Sequence, residues 1–291
     1  MEEIFDIAVI GGGPAGLSAV LTGKNRNKKV VLFEHLGFSQ KLQKAHVVDN
    51  YLGLSKISGQ DLMKQFATHV LAHEPVLVKE KVVNVFVTTP AFTLVTGQST
   101  YQAKTVIIAT GVVATTLFRG EKELLGRGVS YCATCDGMLY RDKDVAVISY
   151  TPEGEHETNF LAEVCRSVTY LPQYRGEYSN LTPNVRILKN RPQAILGEGK
   201  VDELVTDGEN IKAHGVFIMR QSDPVENIIP ELELSGEVIK VDRQLLTNIP
   251  GIFAAGDCTG RPWQIAKATG EGLVAGLSAI NYLDDHNKQD G

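Results

Sequence analysis

A chain of 291 residues is long enough for two domains that each bury a core, and 43% hydrophobic with 22% charged residues is ordinary for a globular protein in water. A net charge of -5 excludes a broadly basic surface of the kind that binds nucleic acid, and no apolar run is long enough to span a bilayer. Four cysteines are too few for a disulfide scaffold, and Met1 leads into an apolar strand without the parts of a signal peptide, so a cytoplasmic protein is expected.

A short apolar, β-rich run predicts a strand over Ile7 to Ile10, running into the loop Gly11-Gly12-Gly13-Pro14-Ala15-Gly16. A helix is expected from Leu17 to Gly23, then a strand Val30 to Phe33 ending at Glu34. This is a dinucleotide-binding fingerprint in its required context. Gly11 allows the tight turn, Gly13 lets backbone approach a pyrophosphate, and Gly16 lets the helix pack close to the strand. Helix amides hold the phosphates, and Glu34 is placed to accept a ribose hydroxyl and to disfavour a 2′-phosphate. The densest basic cluster, Lys24-Asn-Arg26-Asn-Lys28-Lys29, reads as a solvated loop ahead of a docking patch.

Farther along stands Tyr131-Cys132-Ala133-Thr134-Cys135-Asp136-Gly137. Two intervening residues let the sulfurs close a small disulfide, and a thiolate formed there can attack another disulfide. A zinc site needs a second cysteine pair, and Cys165 and Cys258 are isolated, so no metal site is expected. Cys165 and Cys258 read as packed hydrophobes.

Next, Asp144-Val-Ala-Val-Ile-Ser149-Tyr150-Thr151-Pro152-Glu153-Gly154 repeats Asp6 to Gly16 in altered form, which implies two related βαβ units. In the second copy Ser149 and Thr151 replace Gly11 and Gly13, and Pro172 replaces Glu34. Side chains there should obstruct the turn, and Glu153 and Glu155 should add negative charge where phosphates would sit.

The segments Val106-Ile-Ile-Ala109-Thr110-Gly111 and Gly251-Ile-Phe-Ala-Ala-Gly256-Asp257 resemble the strand ends that mark the FAD domain of flavoprotein disulfide reductases, and Cys-Ala-Thr-Cys-Asp-Gly matches the signature of the low-molecular-weight thioredoxin reductases. The resemblance implies an α/β fold with two Rossmann-like, three-layer ββα domains, the second inserted in the first. An FAD domain is expected over 1–112 and 243–291, and an inserted redox domain over 113–242. Beyond the first loop, it implies flavin contacts from Asn50, Ala109, Thr110, Gly111, Gly256, Asp257, Gln264 and Ile265, with Trp263 departing from the family's arginine. Cys135 would face the flavin, Cys132 would exchange with the substrate disulfide, and Asp136 would protonate the leaving thiolate.

Thioredoxin is the implied acceptor and a homodimer the implied assembly. Ordinary members of this family bind NADPH in the inserted domain, and this chain lacks that loop. It resembles instead the flavin-type members that take electrons from reduced ferredoxin. An NADPH-dependent enzyme with an atypical pocket, or another donor, are the alternatives.

Overall fold

The computed structural model describes residues 3–35, 37–111, 118–152, 154–178, 180–220 and 225–287, with the side chains of Gln40, Thr134, Cys135, Glu226, Asn227 and Asn287 outside it. In chain order the first elements are β1 (Ile4–Ile10), α1 (Pro14–Asn25), β2 (Val30–Phe33), α2 (Gln40–Gln43), α3 (Gly59–Leu71), β3 (Val76–Val78), β4 (Val82–Phe86), β5 (Phe92–Thr96) and β6 (Thr100–Ile108). Then come β7 (Val129–Ser130), α4 (Ala133–Asp136), β8 (Asp144–Ser149), α5 (Gly154–Val164), β9 (Ser167–Pro172), β10 (Val185–Ile187), β11 (Pro192–Leu196), β12 (Glu203–Thr206), β13 (Ile211–Lys212) and β14 (Gly215–Met219). The chain closes with α6 (Val225–Ile228), β15 (Leu234–Ser235), β16 (Val238–Ile239), β17 (Ile252–Ala254) and α7 (Ile265–Asn287).

The chain divides into two compact units, Met1–Val113 with Pro224–Gly291, and Ala114–Asp223. The return to the first unit thus falls about twenty residues before the expected position 243. Packing explains the difference: Ile228, Ile229, Leu232 and Ile239 are buried in the same core cluster as Ala8, Ile10, Val31 and Phe33 of β1 and β2. Burial of several such side chains, at roughly 1.5–3 kcal/mol each, ties the segment to that unit.

In the first unit the sheet runs β3-β2-β1-β6-β5-β4, with β17 also paired to β6. Strand β6 is long enough for two neighbours: β5 pairs antiparallel along Thr100 to Ala103, and β17 parallel along Val106 to Ile108. Alternation sorts the faces. Ile7, Val9, Val30, Leu32 and Ile107 pack with α1 and α7, whereas Ala8, Ile10, Val31, Phe33, Val106 and Ile108 pack toward β4, β5 and the α6 to β16 segment. Sheet, second strand layer and helices make three layers, as expected.

The second unit repeats the plan with the parallel order β10-β9-β8-β14-β7. Val145, Val147, Tyr170 and Phe217 face α5, while Ala146, Ile148, Leu171, Val216 and Ile218 face the cluster containing Ile195, Leu204 and Ile211 of β11 to β13. Among the described residues, no helix is long and apolar enough to cross a membrane.

Candidate cofactor cradle and redox site

In the first unit, the strand order reverses between β1 and β6, so the crevice lies at their carboxyl ends. Gly11 sits there with φ +107°, and its amide donates to the Phe33 carbonyl at 2.9 Å. A Cβ at Gly11 would lie 2.5 Å from the Ala109 carbonyl oxygen, so only glycine lets β1 turn against β6. Gly13 caps α1 without a side-chain bond, Pro14 opens the helix, and the first turn holds no acid. A Cβ at Gly13 would meet nothing within 4 Å. An open approach to an uncapped helix end suits a diphosphate.

Glu34 accepts the Gly12 amide through Oε2 at 2.7 Å, which fixes its carboxylate beside the loop. Gly256, at φ +91°, follows β17, and a Cβ there would lie 2.8 Å from that of Ala15. The structure therefore gathers Gly11, Gly13, Pro14, Ala15, Gly16, Glu34, Ala109, Thr110 and Gly256 at one edge, with Gly111 following Thr110. Asn50 Nδ2 donates to Gln264 Oε1 at 2.9 Å, uniting two of the other expected contacts, and Ile265 begins α7. Asp257 accepts from Lys41 Nζ at 3.1 Å. The residues present fit an elongated dinucleotide such as FAD.

Sequence reasoning missed what holds the Gly256 turn. Lys267 Nζ donates to the carbonyls of Gly256 at 2.6 Å and Gly260 at 2.9 Å, and Glu271 Oε2 accepts the Gly256 amide at 2.8 Å. The two side chains stand four apart on α7 and pair with each other, a spacing that was itself a signal. Cys258 is buried, with Sγ 3.2 Å from the Ala255 carbonyl, and burial pushes its thiol up to about 12. Cys165 is half-buried rather than packed inside, and burial still lifts it to about 11.

In the second unit the corresponding loop is closed on itself. Ser149 is buried at the end of β8, and its hydroxyl donates to the Thr151 carbonyl at 2.7 Å. Thr151 is buried where Gly13 leaves open space. Glu155 differs from the expectation of free negative charge over the loop: it is buried, accepting from Tyr174 Oη at 2.5 Å and from the Asn180 amide at 3.2 Å. Its equivalent in the first copy is Leu17, so it points into the packing between α5 and the chain after β9. Burial, with the bond to Glu155, drives the Tyr174 phenol far above its ordinary value. Glu153 lies outside the described residues.

The switch point between β8 and β14 is also filled. The Tyr150 amide donates to the Met219 carbonyl at 2.9 Å. Next to it, Arg220 forms a buried two-pronged ion pair with Glu121, Nη2 lying 2.8 Å from Oε2, and its guanidinium stands 5.6 Å from the Phe118 ring, 6.0 Å from Tyr131 and 5.7 Å from Tyr150. Tyr131 Oη donates to Glu121 Oε1 at 2.9 Å, so the residue before Cys132 is anchored to this pair. Positions 121 and 220 are too far apart in sequence for any local pattern to reveal them.

Cys132 is buried and disulfide-bonded at the start of α4, while Cys165 and Cys258 are free. The Cys135 side chain lies outside the described part. Ser130 Oγ donates to Asp136 Oδ2 at 2.7 Å and accepts the Cys132 amide at 3.1 Å, clamping the motif from β7. The Ala133 amide donates to Glu157 Oε2 at 3.0 Å, a capping contact from α5. Among the described residues, no cluster could hold a metal.

Against known proteins, the family model for pyridine nucleotide-disulphide oxidoreductases matches residues 5–151 and 181–272. A thioredoxin reductase of Ureaplasma parvum is 33% identical, covering 98% of this chain and 99% of its own. The chain belongs to the thioredoxin reductases of this family. A crystal structure of a ferredoxin-flavin thioredoxin reductase from Clostridium acetobutylicum is 42% identical with a TM-score of 0.92, covering 98% of this chain and all of its own. The thioredoxin reductase of Mycolicibacterium smegmatis is 32% identical over 98% of this chain. Membership makes the protein a flavoprotein disulfide oxidoreductase, and the bonded Cys132 is in the state such an enzyme reduces. The break in the family match, residues 152–180, spans α5, β9 and Tyr174, where the second copy departs from the first.

Proposed function

We propose that this thioredoxin reductase draws its electrons from reduced ferredoxin rather than NADPH, and passes them through FAD and the Cys132–Cys135 disulfide to thioredoxin in the cytoplasm. The observation that carries this reading is the contrast between two copies of one loop: Gly13 leaves an open approach to α1, whereas in the second copy the Ser149 side chain bonds across the loop to the Thr151 carbonyl and both residues are buried. Tyr150 and the Glu121–Arg220 pair occupy the switch point where a second dinucleotide would lie. The 42% identity to the Clostridium acetobutylicum enzyme supports the same donor.

FAD, when bound, supplies a carrier that takes electrons one at a time and gives them up as a pair. Gly13 and the first turn of α1 would hold its diphosphate, Glu34 a ribose, Asp257 and Gly256 the ribityl chain, and Asn50, Gln264 and Ile265 the ring. Once the dithiol has formed, Cys132 attacks the thioredoxin disulfide as a thiolate, and the leaving sulfur takes a proton, for which Asp136 is the donor in reach of the motif. Cys135 then attacks Cys132, releasing the second thioredoxin thiol and restoring the internal disulfide. Each cycle consumes two donor electrons and two protons.

The alternative, NADPH bound in an atypical pocket, is favoured by the pyridine nucleotide of the family model. Anaerobic bleaching of the flavin with NADPH, NADH and reduced ferredoxin in parallel decides between them. Ferredoxin alone should bleach it; bleaching by NADPH at physiological concentration would overturn the reading. Cys132→Ser should then abolish thioredoxin reduction while leaving flavin reduction intact.

A further inference from the structure

The basic run Lys24 to Lys29 is not a free charged patch. Lys28 pairs with Asp284 at 2.7 Å, Lys29 with Glu3 at 3.3 Å, and Lys24 Nζ donates to the Glu74 carbonyl. Positive charge with few local partners gathers elsewhere in the first unit. Lys41 Nζ lies 5.1 Å from the Trp263 ring centroid and Arg261 4.2 Å from it, so two cations share one indole that is 41% exposed. The segment from Ser39 to Ile57 meets the 257–264 turn through Lys41 to Asp257 and through Asn50 to Gln264. Together these two stretches carry Lys41, Lys44, Lys56 and Arg261 against only Asp49 and Asp257, in a chain whose net charge is -5. Both carboxylates are engaged, Asp257 by Lys41 and Asp49 by the Lys56 amide at 3.1 Å. Apolar surface is exposed in the same stretch, with Leu52 at 98% and Val47 at 63%.

Cations set against a half-exposed tryptophan, with exposed apolar side chains in the same stretch, have the make-up of a transient interface: charge steers encounter, and apolar surface gives contact. We infer that this face, built from the 39–57 segment and the Arg261-Pro262-Trp263 turn, docks a small acidic iron–sulfur protein that delivers one electron per encounter. Charge complementarity selects that occupant. The inference rests on the proposed donor, and it adds the place: Gln264 and Ile265, assigned to the flavin ring, immediately follow Trp263. Two successive encounters supply the two electrons that reduce one disulfide.

The test uses FAD-loaded enzyme and stopped-flow flavin bleaching under anaerobic conditions, with a reduced clostridial-type ferredoxin and with dithionite as a small reductant. For Lys44→Glu/Arg261→Glu, the ferredoxin rate at low salt should fall at least about ten-fold and lose most of its salt dependence, with the dithionite rate unchanged. An unchanged ferredoxin rate overturns the docking face while leaving the donor intact. An equal loss with dithionite places the effect in the flavin site and also overturns it. A change in oligomeric mass by light scattering without a change in ferredoxin rate makes the face a contact between copies, again against the inference. If ferredoxin fails to reduce the wild-type enzyme, the donor reading itself falls.

Discussion

The Ser149 hydroxyl, 2.7 Å from the Thr151 carbonyl, stands where a Cβ on Gly154 would lie 2.1 Å away. The space that Gly13 leaves open in the first copy is here crossed by an internal hydrogen bond, and Gly154 is held to glycine by the serine beside it. Restoring glycine at both positions, Ser149→Gly/Thr151→Gly, should not restore bleaching by NADPH, because Tyr150, Arg220 and Glu121 still fill the switch point. The variant should lose about 1–3 kcal/mol of stability in thermal unfolding, from the lost bond and two added flexible residues.

Gly11 and Gly13 make a paired prediction, since one is constrained by protein and the other by open space. Gly11→Ala should give a colourless, less stable protein, because its Cβ collides with the Ala109 carbonyl. Gly13→Ala should unfold at the wild-type temperature as apoprotein yet bind FAD at least about ten-fold more weakly, the methyl group occupying the diphosphate approach. Flavin absorbance after gel filtration and circular-dichroism melts separate the two.

The Glu121–Arg220 pair is buried with partners on every side. Glu121→Gln should cost about 3–5 kcal/mol in urea unfolding by leaving the guanidinium uncompensated, whereas Glu121→Leu/Arg220→Met should recover much of that loss. Tyr131→Phe removes one bond to Glu121 and should cost about 1 kcal/mol. If the double variant also reduces thioredoxin more slowly, with its flavin reduced normally, the pair positions the Cys132 segment.

Burial holds the Cys258 thiol up at about 12, against an ordinary 9.0, and that of Cys165 at about 11. The folded state keeps these protons longer than the unfolded chain. Their stabilising contribution is complete below about pH 9 and is lost as pH rises toward 12. Cys258→Ala should therefore flatten the alkaline fall in unfolding midpoint. After gentle reduction of the native enzyme at neutral pH, alkylation should label Cys132 and Cys135 first, half-buried Cys165 slowly, and buried Cys258 only on unfolding.

Much of the first unit was legible because its signals are local. The apolar run Ile7 to Ile10, the glycine loop and Glu34 lie within one βαβ unit, and the structure joins them, with Glu34 accepting the Gly12 amide. Helix α1 extends beyond the expected Leu17 to Gly23 at both ends, since Pro14 suits a first helical turn and the last turn runs on to Asn25. The divergence of the second loop was equally visible, as a contrast between two copies. What stayed hidden depends on distant contacts. Glu121 meets Arg220, Lys267 and Glu271 reach back to Gly256, and the residues around Ile228 belong to a core whose other half precedes them by two hundred positions. The inward turn of Glu155 could not be read either, because its partners Tyr174 and Asn180 follow a different strand.

Strand β6 pairs with β17, and α1 packs against α7, so the first unit is assembled from the beginning and the end of the chain. During synthesis the 114–223 unit has all its strands available before the first unit does. The first 113 residues must wait, with one edge of β6 and the apolar face of α1 uncovered, until the last elements have left the ribosome. Capture of the cofactor is then among the final events of folding, and a ribosome that stops after the 114–223 unit but before α7 yields a chain with a formed redox motif and no means of charging it.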